Sequence, residues 1–202
     1  MDEIQMIEFA RTGDLDAFNR LVLAYQDAAY STAYRLMGDR VAAEDVTQDA
    51  FISAYRNLSS YRGGSFKAWL LRIVMNAGYD ELRRNKRRPT TPLEPDGLDG
   101  EDLDEPAWLR DPGETPEESA MRAELNRAIQ TCLDGLEVEF RVVVVLVDIQ
   151  GMDYREAAES IRSPLGTVKS RLARARSRMQ ECLKGFRELL PAGLRLETEG
   201  IP

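Results

Sequence analysis

Between Ser160 and Gln180 the sequence sets six basic side chains, Arg162, Lys169, Arg171, Arg174, Arg176 and Arg178, and no acidic one. The chain around them is acidic, with 35 Asp and Glu against 27 Lys and Arg and a net charge of −8. A dense run of cations on a chain that repels polyanions suits local contact with phosphates, which supplies affinity without sequence preference. Two further groupings could do chemistry. Glu44, Asp45, Gln48 and Asp49 cluster, and Asp45 and Asp49 are like charges at i,i+4. On a helix such a pair costs about a few tenths of a kcal/mol, which points to a basic partner surface, with an ordinary hydrated face as the alternative. Arg72, Asn76, Tyr79 and Arg83 recur at helical spacing and run into "RRNKRR". Cations for phosphates, an amide for a base edge and an aromatic for stacking are what single-stranded nucleic acid requires.

Other chemistry is excluded by composition. The chain has no histidine, so Ser–His and Cys–His nucleophile pairs, His-containing zinc sites and the usual pH switch are absent. It contains no phosphate-binding GxxxxGK[ST] loop and no GxSxG elbow. Nothing calls for a cofactor or metal, although a carboxylate-dependent enzyme acting on nucleic acid stays open as a reading of the acidic cluster. Cys132 and Cys182 form no CxxC pair and no metal-ligand group, so a reducing cytoplasm is the expected location. The start, "MDEIQMIEF", has no basic n-region of a secretory signal, and the longest aliphatic run, Val142 to Val147, is too short to cross a bilayer.

Three segments must position these groups. Residues 1–88 carry a net charge of +1, residues 89–120 a net charge of −10 and residues 121–202 again +1. The middle segment holds six prolines and no sustained apolar period, which reads as an extended, self-repelling linker. The flanks read as helices. Phe18, Leu21, Val22, Tyr25, Ala29, Ala33 and Leu36 make one buried face, with Gly38 as a stop and Asp39 as the next cap. A second helix carries Phe51, Tyr55 and Leu58, and a third, after "SSYRGGS", buries Phe66, Leu70, Ile73 and Ala77, with Trp69 near the apolar side. "FRVVVVLVDIQG" favours a strand by propensity, but no partner strand is visible, and it is expected to be helical.

Near the C-terminus, Asp153 and Glu156 form a capping box before "YREAAESI". Ser163 followed by Pro164 suits the cap and first position of a further helix. That helix places Val168, Leu172, Ala175 and Met179 on one stripe, the two together forming a helix-turn-helix. Opposite the stripe lie the small Ser170 and Ala173, flanked by Arg171, Arg174 and Arg178 on one side and Lys169 and Arg176 on the other. Small residues at the leading face with cations on both walls suit a helix entering a major groove. A solvated basic helix, or one docking an acidic protein, fits the same pattern.

With these motifs in view, "AEDVTQDAFISAYRNLSSYRGGSFKAWLLRIVMNAGYDELRRNKRR" resembles the second conserved region of bacterial sigma factors. "YREAAESIRSPLGTVKSRLARARSRM" resembles their fourth region, in particular that of the extracytoplasmic-function (ECF) group. The resemblance implies an all-α chain of two small helical domains: region 2 over 1–88, an acidic flexible linker over 89–120, and a region 4 helix-turn-helix over 121–184. No role is assigned to the tail at 185–202. It implies a promoter-specificity subunit without enzymatic activity that binds core RNA polymerase. Glu44, Asp45, Gln48, Asp49 and Phe51 would dock on the β′ clamp coiled coil, and region 4 on the β flap. Tyr61, Arg62, Arg72, Asn76, Arg83 and Arg84 would bind the melted single-stranded −10 element. Thr167, Lys169, Ser170, Arg171, Ala173, Arg174 and Arg178 would read the −35 element in duplex DNA. The linker would thread toward the active-site cleft and stand in for RNA, and an anti-sigma factor is an expected partner. The other reading of the motifs is a free-standing helix-turn-helix regulator.

Overall fold

Caps set most helix boundaries in this chain. The computed structural model describes residues 2–87 and 115–189, and every regular element among them is helical. Asp2 opens α1 (Glu3–Arg11) with a capping box, accepting from the Gln5 amide while its own amide donates to the Gln5 side chain. Asp14 caps α2 (Leu15–Met37), which ends at Gly38 with φ +73°. That left-handed conformation strains any residue with a Cβ, and here a Cβ would also sit 2.8 Å from Asp134 Oδ1. Asp39 immediately caps α3 (Arg40–Asn57), accepting from the Ala42 amide at 2.7 Å. A short 3-10 turn, Leu58–Ser60, and the loop after it lead into α4 (Phe66–Arg87). Ile7, Phe18, Leu21, Leu58, Tyr61, Phe66 and Leu70 fill the core at this end of the four helices.

The second half begins with α5 (Pro116–Asp134), capped by a reciprocal Thr115–Glu118 box with proline at its first position. Residues 88–114, which hold most of the acidic linker, lie outside the described residues, as does the tail beyond 189. The valine run forms α6 (Val138–Val144) and continues through a π turn, Val145–Ile149. Val142, Val143, Val145 and Leu146 are fully buried there. Burying each such side chain is worth about 1.5–3 kcal/mol, whereas the helix-propensity penalty of valine is below ~0.7 kcal/mol. Burial decides the outcome, since no strand among the described residues could pair with it.

α7 (Tyr154–Ser160) and α8 (Leu165–Leu183) form the helix-turn-helix, and a 3-10 turn, Lys184–Leu189, follows. The Asp153–Glu156 capping box is present as expected. The start of α8 differs from expectation. Pro164, with ψ 142°, is the cap residue, and Ser163 makes no side-chain cap. The Ser163 amide instead donates to the Ala158 carbonyl, closing the end of α7 after Arg162 turns at φ +50°. Because Pro164 is itself extended, α8 starts one residue later than expected, and Ser163 is left to close the end of α7.

The two halves share a core. Ala33, Leu36, Val74 and Met75 of the first pack in one cluster with Leu133, Leu136, Val142, Leu146, Met152 and Ala157 of the second. Polar contacts cross the same seam. Arg35 donates to the Asn126 carbonyl and side chain and to Gln130, and Lys67 Nζ donates to the Gln150 carbonyl at 2.7 Å. Arg141 is the most buried of these cations at 8% exposure. It donates to the Leu36 carbonyl at 2.7 Å and the Asp134 carbonyl at 2.9 Å, and it pairs with the Asp134 carboxylate at 3.0 Å. Burial pushes its pKa down from the ordinary value while Asp134 pulls it back up. It thus ties the last turn of α2 to α6.

Candidate nucleic-acid interface

The exposed face of α8 is set by its apolar stripe. Val168, Leu172 and Ala175 are buried, so Lys169, Ser170, Ala173 and Arg174 must project outward, and all four are exposed. Thr167 and Arg171 are half-buried beside them, and Arg178 is exposed one turn further on. Three of the guanidiniums are held by carboxylates of the same half. Arg171 pairs with Glu139 at 2.5 Å, Arg176 with Asp148 at 2.5 Å, and Arg178 with Glu137 at 3.3 Å. Arg178 also lies 4.6 Å from the centre of the Phe140 ring, and Lys169 lies 5.9 Å from that of Tyr154. Arg174 has no ion-pair partner among the described residues. Exposed ion pairs are worth less than about 1 kcal/mol each. Phosphates can therefore take these guanidiniums over at little cost, while the pairs hold the side chains in place until then.

The α4 stripe is positioned by a glycine loop. Gly63 and Gly64 both adopt left-handed backbone, φ +91° and +92°, and the Tyr61 hydroxyl donates to the Gly64 carbonyl at 2.7 Å. The Tyr61 ring is 7% exposed and meets Phe66 and Trp69 edge-on. Its place is therefore inside the loop, shaping it, while Arg62 stands at the exposed tip. Asn76 is exposed, Arg72 and Tyr79 are half-buried, and Arg83 and Arg84 are exposed with Asp80 and Glu81 nearby at 3.8 and 2.8 Å. Burial pushes the Tyr79 phenol up from its ordinary pKa, so it remains a neutral hydrogen-bond donor.

The α4 stripe borders two clefts between the halves. Arg72 and the Ser60–Ser65 loop form one wall of a 390 Å³ cleft, with Glu156, Glu159 and Ser160 opposite. Asn76, Tyr79 and Arg83 line a second, of 590 Å³, whose far wall includes Glu139, Arg162 and Arg171. The amide and aromatic of α4 thus face the cation of α8 across one gap.

The acidic cluster lies on another side. Asp45, Gln48 and Asp49 are exposed and line a 320 Å³ groove between α3 and α4, joined there by Asp80, Glu81 and Arg84. Glu44 is exposed beside it and paired with Arg40 at 3.3 Å. Phe51 is half-buried and packs against both core clusters. The contributions of Asp80 and Glu81 were not visible in the sequence, where they sit among the arginines of the α4 stripe. No group of three His, Cys, Asp or Glu side chains among the described residues is close enough to hold a metal ion. No described helix is long and apolar enough to cross a membrane.

Comparison with known proteins gives these surfaces a context. Residues 21–88 match the family Sigma-70 region 2, and residues 126–179 match Sigma-70, region 4. The ECF RNA polymerase sigma factor SigE of Mycolicibacterium smegmatis is 36% identical over 178 residues, covering 87% of this chain and 66% of that protein. The RNA polymerase sigma-H factor of Pseudomonas aeruginosa is 34% identical over 181 residues, covering 89% of this chain and 93% of that protein. Among solved structures, the sigma factor RpoE in complex with the anti-sigma factor NepR from Bartonella quintana aligns with a TM-score of 0.62 and 27% identity. That alignment covers 83% of this chain and 96% of that one.

Proposed function

The chain belongs to the extracytoplasmic-function group of bacterial sigma factors, and on that premise we propose that it binds core RNA polymerase and directs promoter-specific initiation. Residues 1–88 act as the region 2 domain and residues 121–184 as the region 4 domain, with the acidic segment between them as a tether. α8 enters the major groove of the −35 element, with Lys169, Arg171, Arg174 and Arg178 on phosphates and base edges and Thr167, Ser170 and Ala173 leaving room for close approach. Arg62, Arg72 and Asn76 hold the unstacked −10 strand, Arg83 and Arg84 extend its phosphate track, and Tyr61 shapes the loop that delivers Arg62. Asp45, Gln48, Asp49 and Glu44 meet a basic partner, the β′ clamp coiled coil, while region 4 seats on the β flap. The chain works in the cytoplasm and takes an anti-sigma factor as a further partner. It performs no catalytic chemistry of its own, because capturing an unstacked base offsets part of an unpairing cost of about a few kcal/mol.

The observation that carries this reading is the cleft where Asn76 and Tyr79 face Arg171. Arg171 thus sits against the α4 stripe, while Lys169, Ser170, Ala173 and Arg174 stay exposed. Separation of the halves on core polymerase would free Arg171 and Asn76 and fix the spacing of the two surfaces, raising effective concentration at the promoter. A free-standing regulator would bind duplex unaided. Transcription in vitro by core polymerase with and without the protein, followed by sequencing of transcript 5′ ends, tests the proposal. New, discrete start sites that depend on the protein are expected; unchanged start sites would overturn it.

A further inference from the structure

Cys132 and Cys182 are the two cysteines of the chain, and they are bonded to each other. Cys132 lies in the last turn of α5 and Cys182 in the last turn of α8, with their Cα atoms 5.7 Å apart across 50 residues of sequence. Neither belongs to the reading face of α8, the α4 stripe or the acidic groove. We infer that this pair is a reversible oxidation site, a dithiol under reducing conditions and a disulfide on meeting a peroxide or a small disulfide. The bond then staples α5 to the far end of the reading helix. The inference rests on the cytoplasmic placement proposed above, since there thiols are the default state.

The two sulfurs differ in access. Cys132 is 3% exposed, whereas Cys182 is half-buried. The Cys182 thiolate therefore attacks first, breaking the O–O bond of hydrogen peroxide, taking one oxygen as a sulfenic acid and releasing hydroxide. The Cys132 thiolate then displaces hydroxide from that sulfur and forms the S–S bond. Two thiols lose two electrons and two protons, and one peroxide becomes two waters. With glutathione disulfide the same bond forms by two thiol exchanges and releases two glutathiones; an added dithiol reverses either route.

The position of the staple determines its effect. The pairs that hold the DNA-facing side of α8, Arg171–Glu139, Arg176–Asp148 and Arg178–Glu137, are the ones phosphates would displace. When they are given up, α8 is held by Val168, Leu172 and Ala175 and, in the oxidised chain, by its covalent link to α5. That link lies beyond the reading residues and leaves them unchanged. Oxidation should therefore strengthen the region 4 body without altering what it reads.

The test uses the full purified chain without polymerase. It is treated with hydrogen peroxide, glutathione disulfide or dithiothreitol, and then followed by free-thiol titration, intact mass, non-reducing electrophoresis and thermal melting. Both oxidants are expected to remove both thiols with the loss of two hydrogens in a monomer, and dithiothreitol to restore them. The oxidised chain should melt higher than the reduced one by on the order of 10 °C. Cys132→Ser should stop at a dimedone-reactive sulfenic acid on Cys182, and Cys182→Ser should show neither product nor melting shift. Thiols that stay free in the folded chain, disulfides that form only between chains, or equal melting in both redox states would overturn the inference. Because no polymerase is present, a failure here leaves the sigma-factor reading standing, and a failed transcription assay leaves this one standing.

Discussion

Replacing Arg141 by methionine removes a buried cation and leaves its partners behind, and its cost can be worked from the contacts. The guanidinium bonds the Leu36 carbonyl at 2.7 Å and the Asp134 carbonyl at 2.9 Å and pairs with the Asp134 carboxylate at 3.0 Å. Truncating one partner of a buried ion pair costs about 3–5 kcal/mol. The Asp134 side chain is 44% exposed and stays hydrated, which favours the low end. Relief of the guanidinium's own desolvation, the cause that lowers its pKa, acts in the same direction. Against that, the Leu36 carbonyl at the end of α2 loses a charge-assisted bond worth about 1.5–3 kcal/mol. Methionine fills nearly the same volume, so no large cavity adds to the total. The expected loss is about 3 kcal/mol, roughly a hundredfold in the folded-to-unfolded ratio. Arg141→Lys should fall in between, because one ammonium cannot span both the α2 and α6 sides. Urea unfolding of the reduced protein, followed by far-UV circular dichroism, measures both. An Arg141→Met protein within about 0.5 kcal/mol of the parent, the scatter of ordinary surface changes, would refute the idea that this side chain fastens the two halves together.

Other perturbations address function. Arg174→Ala should weaken −35 binding by the holoenzyme across sequences and lower the slope of log affinity against log salt by about 1, read by filter binding at several salt concentrations. An unchanged slope would remove Arg174 from the phosphate contacts. Asn76→Ala should slow open-complex formation by roughly 10- to 100-fold, the value of about 1–3 kcal/mol for a base-edge contact, while closed-complex binding holds; permanganate footprinting over time separates the two. Asp49→Lys should weaken binding to core polymerase by at least about tenfold at low salt and less at high salt, measured by competition against the parent protein, with folding checked by circular dichroism.

The fold was readable in the sequence where local chemistry determines it. Asp39 and Asp153 cap the helices their spacing suggests, and Gly38 ends α2. The buried stripe of α8 falls on Val168, Leu172 and Ala175 as the 3.6-residue period requires. The valine run was harder, because propensity and burial oppose each other there and burial is the larger quantity. Contacts distant in sequence were not readable. The Arg141–Leu36 bond joins residues 105 apart, and Arg35 reaches Asn126 across 91. Nothing in either local pattern marks its partner. The same holds for Arg171 with Glu139, 32 residues apart, and for the cysteine pair. Tyr61 shows the converse case. The resemblance puts it among the residues that would bind the −10 strand, and the structure adds that its ring is buried against Phe66 and Trp69 and its hydroxyl closes the glycine loop.

The claim on which the rest depends is that the chain holds Asn76 and Tyr79 of α4 against Arg171 of α8 when free and moves the two helices apart when seated on polymerase. Fluorescent unnatural amino acids at Asp80 and Arg174, both exposed, allow energy transfer between α4 and α8 to be measured in the free protein and with core enzyme. The account predicts high transfer for the free chain and a large drop on addition of core polymerase. Equal transfer in the two states, with binding verified, would contradict it.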